Sequence, residues 1–195
     1  MATIYLIRHG ESAANAGLKT EATDLIPLTP LGHEQARTVP SRLPNTLDYI
    51  IHSTYLRTKE TAQPTIQVHP QTAVEEWALV REFTYLDPSL CVGTTMEERR
   101  PLVDDFWGRL DPNLQVSPEV ESFGQFITRV KLAHKKLEER FASTEAVVAL
   151  FTHALFMKAF FQVLEQPTAP ASKLMAEFFD CPVIHNCDIL TYNLP

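Results

Sequence analysis

Near the start of the chain four apolar residues of strong strand propensity, Ile4-Tyr5-Leu6-Ile7, run straight into Arg8-His9-Gly10. An unbroken apolar run stopped by a glycine predicts a strand buried on both faces in a parallel sheet. Such a strand needs cover above and below, which restricts the chain to layered α/β architectures. Ligands in these sheets sit outside the carboxyl ends of the strands. Arg8 and His9 therefore stand where the fold places chemistry, and Gly10 is expected to turn the backbone sharply toward a ligand. A permanent cation beside an imidazole suits an anion held next to a nucleophile or a base. The same pair could equally cap a strand end, and the rest of the chain has to discriminate.

The remaining pattern alternates strands with helices. Residues 16–28 lack a clear period and read as a loop. Thr29-Pro30 looks like an N-cap with proline at the first helical position, opening a helix from Leu31 to about Val39. Asp48 to His52 is a second short strand. Ser53 is placed to cap a helix carrying Arg57, Thr58, Thr61 and Ala62 and ending before Pro64. Thr72 to Val80 reads as a third strand ending at Arg81-Glu82. Residues 83–120 are the least regular, with turn signals at Asp87-Pro88, Asp111-Pro112 and Ser117-Pro118. Thr94 with Glu97 and Thr95 with Glu98 both have capping-box spacing, which predicts a helix over about 96–107. Phe123, Phe126, Ile127, Val130, Leu137 and Phe141 mark one face of a long amphipathic helix. Glu145 to Phe151 is the cleanest buried strand and ends at Thr152-His153. An apolar helix over 154–164, another over 171–179, and an edge strand over 188–193 complete the reading. The expectation is a three-layer α/β/α fold with a mostly parallel central sheet. If the strands ending at His9, Glu82 and His153 are parallel neighbours, those three side chains gather at one edge.

At 195 residues the chain suffices for one sizeable α/β domain. With 45% apolar and 21% charged residues it is globular rather than disordered. A formal net charge of -7, with no basic run longer than two residues, disfavours nucleic acid as a partner. A few converging arginines can still hold an anion. No apolar stretch approaches the roughly 18 residues of a membrane span, and Ala2 to Ile7 is too short for a signal core, so a cytoplasmic location is expected. Cys91, Cys181 and Cys187 fit reduced, mostly structural thiols.

Taken together, the sequence resembles the histidine phosphatase superfamily, also called phosphoglycerate mutase-like, over nearly its whole length. Arg8-His9-Gly10-Glu11-Ser12-x-x-Asn15 matches the family signature. Leu28-Thr29-x-x-Gly32-x-x-Gln35-Ala36 and Ser53-x-x-x-Arg57-x-x-x-Thr61-Ala62 match the two helices that follow. Arg81-Glu82 matches the acid-bearing turn and Thr152-His153 the second histidine, while Glu121-Ser122 with Arg129 and Asn186-Cys187 match later elements. Two departures stand out. Ala154 occupies the position after the second histidine where the family usually has glycine, and a positive φ there would be strained. Thr84-Tyr85-Leu86-Asp87-Pro88 replaces the aromatic-glycine element that often follows the acid.

The resemblance implies a single domain over residues 1–195 with a lid or specificity insertion at about 83–120. It implies that His9 attacks phosphorus, forming a phosphohistidine. Arg8 and Arg57 would clamp phosphate oxygens, and His153, protonated once phosphate is bound, would stabilise charge on the transferring group. Glu82 would protonate the leaving oxygen and later deprotonate water, provided burial or a nearby anion raises its pKa against the pull of Arg81. Asp87 is the alternative acid. Ser12, Asn15 and the backbone N–H of Ala154 are further phosphate-binding candidates, while Phe83, Tyr85 and Trp107 could line a pocket or pack a core.

No cofactor is expected. His185-Asn186-Cys187-Asp188 could be half a zinc site but lacks a partner motif. The expected activity is hydrolysis of a small phosphorylated molecule. The alternatives are a mutase that returns the phosphoryl group to a product, and a phospho-ligand binding protein without turnover. The oligomeric state is not encoded legibly.

Overall fold

The computed structural model describes residues 1–194. Five strands form one sheet: β1 (Thr3–Arg8), β2 (Tyr49–His52), β3 (Ala73–Glu76), β4 (Val147–Thr152) and β5 (Ile189–Asn193). The helices are α1 (Pro30–Thr38), α2 (Leu56–Val68), α3 (Pro88–Cys91), α4 (Met96–Gly108), α5 (Phe123–Phe141), α6 (Ala154–Glu165) and α7 (Ala171–Ala176). The strand order is β3-β2-β4-β1-β5, parallel throughout except for the antiparallel edge strand β5. The α/β, mostly parallel reading is met, and β1 and β4 are direct neighbours with Arg8 opposite Thr152.

Strand alternation builds the three layers. Ile4, Leu6, Ile51, Val148 and Leu150 point to one face, where they pack with Phe126, Val130 and Leu137 of α5 and Phe156, Met157 and Phe160 of α6. Ile7, Ile50, Ala149 and Phe151 point to the other, against Val39 and Ala62 beside α1 and α2. The aromatic stripe read on α5 is buried as expected, and its N-terminus carries a capping box between Ser122 and Gln125. Thr29 caps α1 through the Gly32 N–H. Of the two threonines with capping-box spacing before α4, Thr95 closes the box, paired with Glu98. Among the described residues no helix is long and apolar enough to cross a membrane.

The structure corrects the local reading at five places. The third strand is Ala73–Glu76, not 72–80, because Trp77 folds into the core and Ala78–Val80 curl into a 3-10 turn. Glu82 therefore leaves a turn rather than a strand end. Helix α2 runs through Pro64 to Val68, since its buried face of Thr58, Thr61, Ala62 and Thr65 continues past the proline. That packing outweighs the lost backbone bond. Ser53 is not the N-cap of α2; Tyr55 holds that position, without a side-chain cap. Helix α7 stops at Ala176 and is followed by turns, with Phe178 buried and Phe179 exposed.

Gly10 is the fifth correction. Its φ is not positive, and what it supplies is close approach. A Cβ on Gly10 would lie 2.5 Å from the Gly32 carbonyl oxygen, and one on Gly32 would overlap the Glu11 carbonyl. The first turn of α1 is thus pressed against the backbone that follows His9, with no room for a methyl group. We expect Gly32→Ala to destabilise the protein by about 3 kcal/mol through overpacking against backbone, read by denaturant melts. An unchanged midpoint would show that the loop after His9 yields freely.

Candidate active site

The pairing of β1 with β4 brings the two histidines together. His9 leaves β1 with its N–H on the Thr152 carbonyl, and His153 leaves β4 as the N-cap of α6. Their ring centroids are 5.3 Å apart, edge to face. His9 Nδ1 lies 2.6 Å from the Gly10 carbonyl oxygen, which requires the proton on Nδ1 and leaves Nε2 with its lone pair. Arg57 Nε donates to that Nε2 at 3.2 Å, and its Nη1 donates to the Thr23 carbonyl. Burial first, then the charges of Arg57 and Arg8, hold His9 well below the ordinary histidine value. The ring is therefore neutral at neutral pH.

Arg8 donates through Nη1 to the Ile184 carbonyl at 2.6 Å. Its Nε is buried and finds no partner. His153 is fully buried, with Nε2 2.7 Å from Ser53 Oγ, which also meets Thr58 Oγ1. Its Nδ1 is a second buried nitrogen without a partner. Burial and the neighbouring Arg57 push His153 well below its ordinary value too, so this ring is neutral. Buried polar atoms are nearly always paired; the partnerless Arg8 Nε can only donate and so marks a place for an acceptor, while Nδ1 of a neutral His153 donates or accepts according to its tautomer.

Glu82 reaches the same site from the 3-10 turn after β3, although β3 is two strands away from β4. Its Oε1 accepts from the backbone N–H groups of Phe83 and Phe156, at 3.0 and 3.1 Å, and its Oε2 from that of Leu155 at 3.3 Å. The carboxylate thus sits on the N-terminus of α6, one turn beyond His153. Burial raises its pKa, against the pull of those N–H groups, Arg57 and Arg8. Arg81 turns away to Glu121. Asp87 is exposed, caps α3 through Ser89, and is held below the usual carboxylate range by that hydrogen bonding.

A cavity of about 200 Å³ opens over these groups. Arg8, His9, Ser12, Asn15, Arg57 and Glu82 line it, together with Tyr85, Met96 and Arg99 from beyond the sheet; Asp87, Ala154 and the fully buried His153 do not. Ala154 is the first residue of α6 and has no positive φ, so the alanine is unstrained there. Asn15 Oδ1 accepts from Ser12 and from Asn186 Nδ2, which also donates to the His9 carbonyl. Asn186 is thereby bound to the His9 loop, and Asp188 accepts from the His185 N–H. Among the described residues no three His, Cys, Asp or Glu side chains are grouped as a metal site would need.

Three residues around the site escape a reading of roles from the sequence. Ser53 fixes the His153 ring. Arg99 belongs to no recognisable motif. Arg129 donates to Glu121 and to the carbonyls of Leu79, Arg81 and Glu82, clamping the turn that carries Glu82. The Glu121…Arg129 spacing was the available signal for the last of these.

Comparison with known proteins bears on the family and the fold. Residues 4–183 match the family model for the histidine phosphatase superfamily, branch 1. A curated relative from Photorhabdus laumondii, "Probable phosphoglycerate mutase GpmB", is 41% identical over 64 residues, covering 32% of this chain and 30% of that protein. Among solved structures, YhfR of Bacillus stearothermophilus superposes with TM-score 0.77 at 24% identity, covering 98% of this chain and 90% of that one. The mycobacterial glucosyl-3-phosphoglycerate phosphatase gives 0.76 at 19% identity, with the same coverage. The alpha-ribazole phosphatase of Shigella flexneri gives 0.73 at 20%, covering 97% and 89%. At these identities the structural likeness bears on the fold.

Proposed function

This chain belongs to the histidine phosphatase superfamily, and from that premise we propose that it is a metal-independent phosphomonoesterase acting through a phosphohistidine on His9. The observation that carries the reading is His9 Nε2, left as an acceptor by the Nδ1 bond to Gly10 and met by the Arg57 Nε–H, in a cavity lined also by Arg8 and Glu82.

A phosphate monoester enters with its oxygens on Arg8 and Arg57, whose forks suit a tetrahedral anion. His9 Nε2 attacks phosphorus, the N–P bond forms, and the ester P–O bond breaks. Glu82, protonated, gives its proton to the departing oxygen. Water then attacks the phosphohistidine, Glu82 takes its proton, and the N–P bond breaks to release inorganic phosphate. The dianion next to His153 raises that ring toward its charged form, and Nδ1 is the donor it has left for a phosphate oxygen. The local match to a protein named as a phosphoglycerate mutase supports a second reading. In that case the phosphoryl group returns to a product, and isomers interconvert without net phosphate release.

The test is phosphate release from a chromogenic phosphoester in chelator across pH. His9 is neutral from below pH 6.5 upward, so the nucleophile is ready throughout the neutral range. Burial raises Glu82, which keeps it protonated to higher pH than an ordinary glutamate; activity should fall as pH rises through its value. Glu82→Gln should lower kcat about 10²- to 10³-fold on an alkyl phosphate. The loss should be smaller on p-nitrophenyl phosphate, whose leaving group needs no proton, and the alkaline limb should vanish. A wild-type profile on the alkyl phosphate that stays flat through roughly pH 9 would remove Glu82 from this role.

A further inference from the structure

Burial, then Arg57 on α2, His9 at the end of β1, Arg129 on α5 and Arg8 on β1 all work against a charge on His153. The Tyr55 ring lies edge-on to it at 5.2 Å, and the Glu82 carboxylate is held by N–H groups further along the same helix terminus. What meets its Nε2 is a hydroxyl. Ser53, whose N–H donates to the Phe151 carbonyl of β4, places Oγ 2.7 Å from Nε2. The same oxygen accepts from the Tyr55 N–H at 3.2 Å and lies 2.8 Å from Thr58 Oγ1. Thr58 Oγ1 is in turn 2.6 Å from the Tyr55 carbonyl oxygen. Ser53 and Thr58 are wholly buried, so each of these protons has to be placed within the group.

A hydroxyl has one proton and two lone pairs. With one lone pair of Ser53 taken by the Tyr55 N–H, two arrangements satisfy every atom. In the first, Thr58 donates to Ser53, and Ser53 donates to an unprotonated Nε2. In the second, an Nε2–H donates to Ser53, Ser53 to Thr58, and Thr58 to the Tyr55 carbonyl. The heavy atoms are the same in both; only two O–H bonds rotate. A carboxylate in place of Ser53 would suit the imidazolium alone, and an apolar side chain would suit neither form.

We propose that Ser53 and Thr58 are positioning residues that form a reversible hydroxyl relay, serving His153 as a neutral ring in the free enzyme and as an imidazolium when phosphate is bound. The inference rests on the phosphomonoesterase reading, which brings a dianion beside this ring. The ring gains one proton from solvent, which makes the Nε2–H bond, and the two hydroxyl protons turn toward Thr58 and the Tyr55 carbonyl. Thr58 touches neither the ring nor the cavity, so the relay is separable from direct contact with phosphate.

The experiment reads His153 by nitrogen-15 NMR of histidine-labelled protein across pH, with and without inorganic phosphate. Phosphate affinity is measured by calorimetry, folding by the melting temperature, and turnover on a chromogenic phosphoester. Wild type should carry a neutral ring alone and an imidazolium in the phosphate complex at neutral pH. In Thr58→Val, Ser53 can still donate to a neutral ring, but its proton has no acceptor once Nε2–H donates to it. That variant should titrate about one pH unit lower in the complex and bind phosphate about tenfold more weakly. Thr58→Ser keeps the hydroxyl and loses the methyl, and should stay within about threefold of wild type; a mere packing role would make it the worse of the two. If Thr58→Val does not fold, Ser53→Ala decides, and should shift titration and affinity in the same direction. A folded Thr58→Val or Ser53→Ala that matches wild type, a Thr58→Ser as impaired as the valine variant, or an active wild type whose His153 stays neutral with phosphate bound overturns this inference alone. A wild type that releases no phosphate from the ester overturns the phosphomonoesterase reading and this inference with it.

Discussion

His9→Asn should lower phosphate release by about 10⁴-fold or more while leaving the melting temperature close to that of wild type. Asparagine can keep a donor toward the Gly10 carbonyl that His9 Nδ1 now meets, so the turn after β1 survives. What disappears is the nitrogen lone pair. The Arg57 and Arg8 guanidinium groups cannot replace it as a nucleophile, since they have no accessible lone pair. A rapid quench with labelled substrate extends the test. Wild type should carry label that is lost in acid and retained in alkali, as a phosphoramidate is, and His9→Asn should carry none. Label with the opposite lability would place the phosphoryl group on a hydroxyl or carboxylate oxygen instead.

Arg129→Met should cost about 3–5 kcal/mol, a fall in melting temperature of about 10 °C for a chain of this size. Arg129 and Glu121 have side chains only 8% and 10% exposed, and removing the arginine leaves Glu121 in the interior with only its longer pair to the partly exposed Arg81. The loss extends beyond the pair, because Arg129 also donates to the carbonyls of Leu79, Arg81 and Glu82. Those carbonyls belong to the turn that delivers the Glu82 carboxylate to α6. The variant should therefore lose kcat more than it raises KM, as an acid held loosely protonates poorly while phosphate binding through Arg8 and Arg57 persists. Pairing it with Glu121→Leu should recover much of the stability, since no buried charge then stands alone. A melting temperature unchanged in Arg129→Met would refute the clamp.

The parts of the site legible in the sequence are those fixed by short-range rules. His9 and His153 each follow an unbroken apolar run, and such runs had to be buried strands whose ends face ligand. Arg57 lies a fixed distance into a helix, and the resemblance to a known family supplied the pairing. Glu82 was found by that resemblance and misplaced by periodicity. Thr72 to Val80 looks like one apolar segment, but Trp77 is large enough to leave the edge and enter the core, which ends the strand early. Pro64 misled for a related reason, because the missing N–H is visible locally while the buried threonine face beyond it is not. Arg99 was illegible altogether. Its neighbours Thr20, Cys91 and Thr94 come from segments without a period, and only tertiary contact brings them together around its guanidinium. Gly10 was read as a turn residue and Gly32 only as part of a helix motif, whereas a Cβ on Gly10 would strike the Gly32 carbonyl and one on Gly32 the Glu11 backbone.

The place of β1 in the sheet has a consequence for the order of assembly. Its neighbours are β4, with Thr3 opposite Val147, and β5, with Thr3 opposite Asn193. During vectorial synthesis β1 therefore emerges well ahead of its partners and must wait, its apolar sides unmatched until the chain as far as Val147–Thr152 has followed. Contacts of such sequence separation also slow refolding. The residue proposed as nucleophile rides at the end of that strand and is gripped by Asn186, so a nascent or truncated chain would display the motif long before it could organise it.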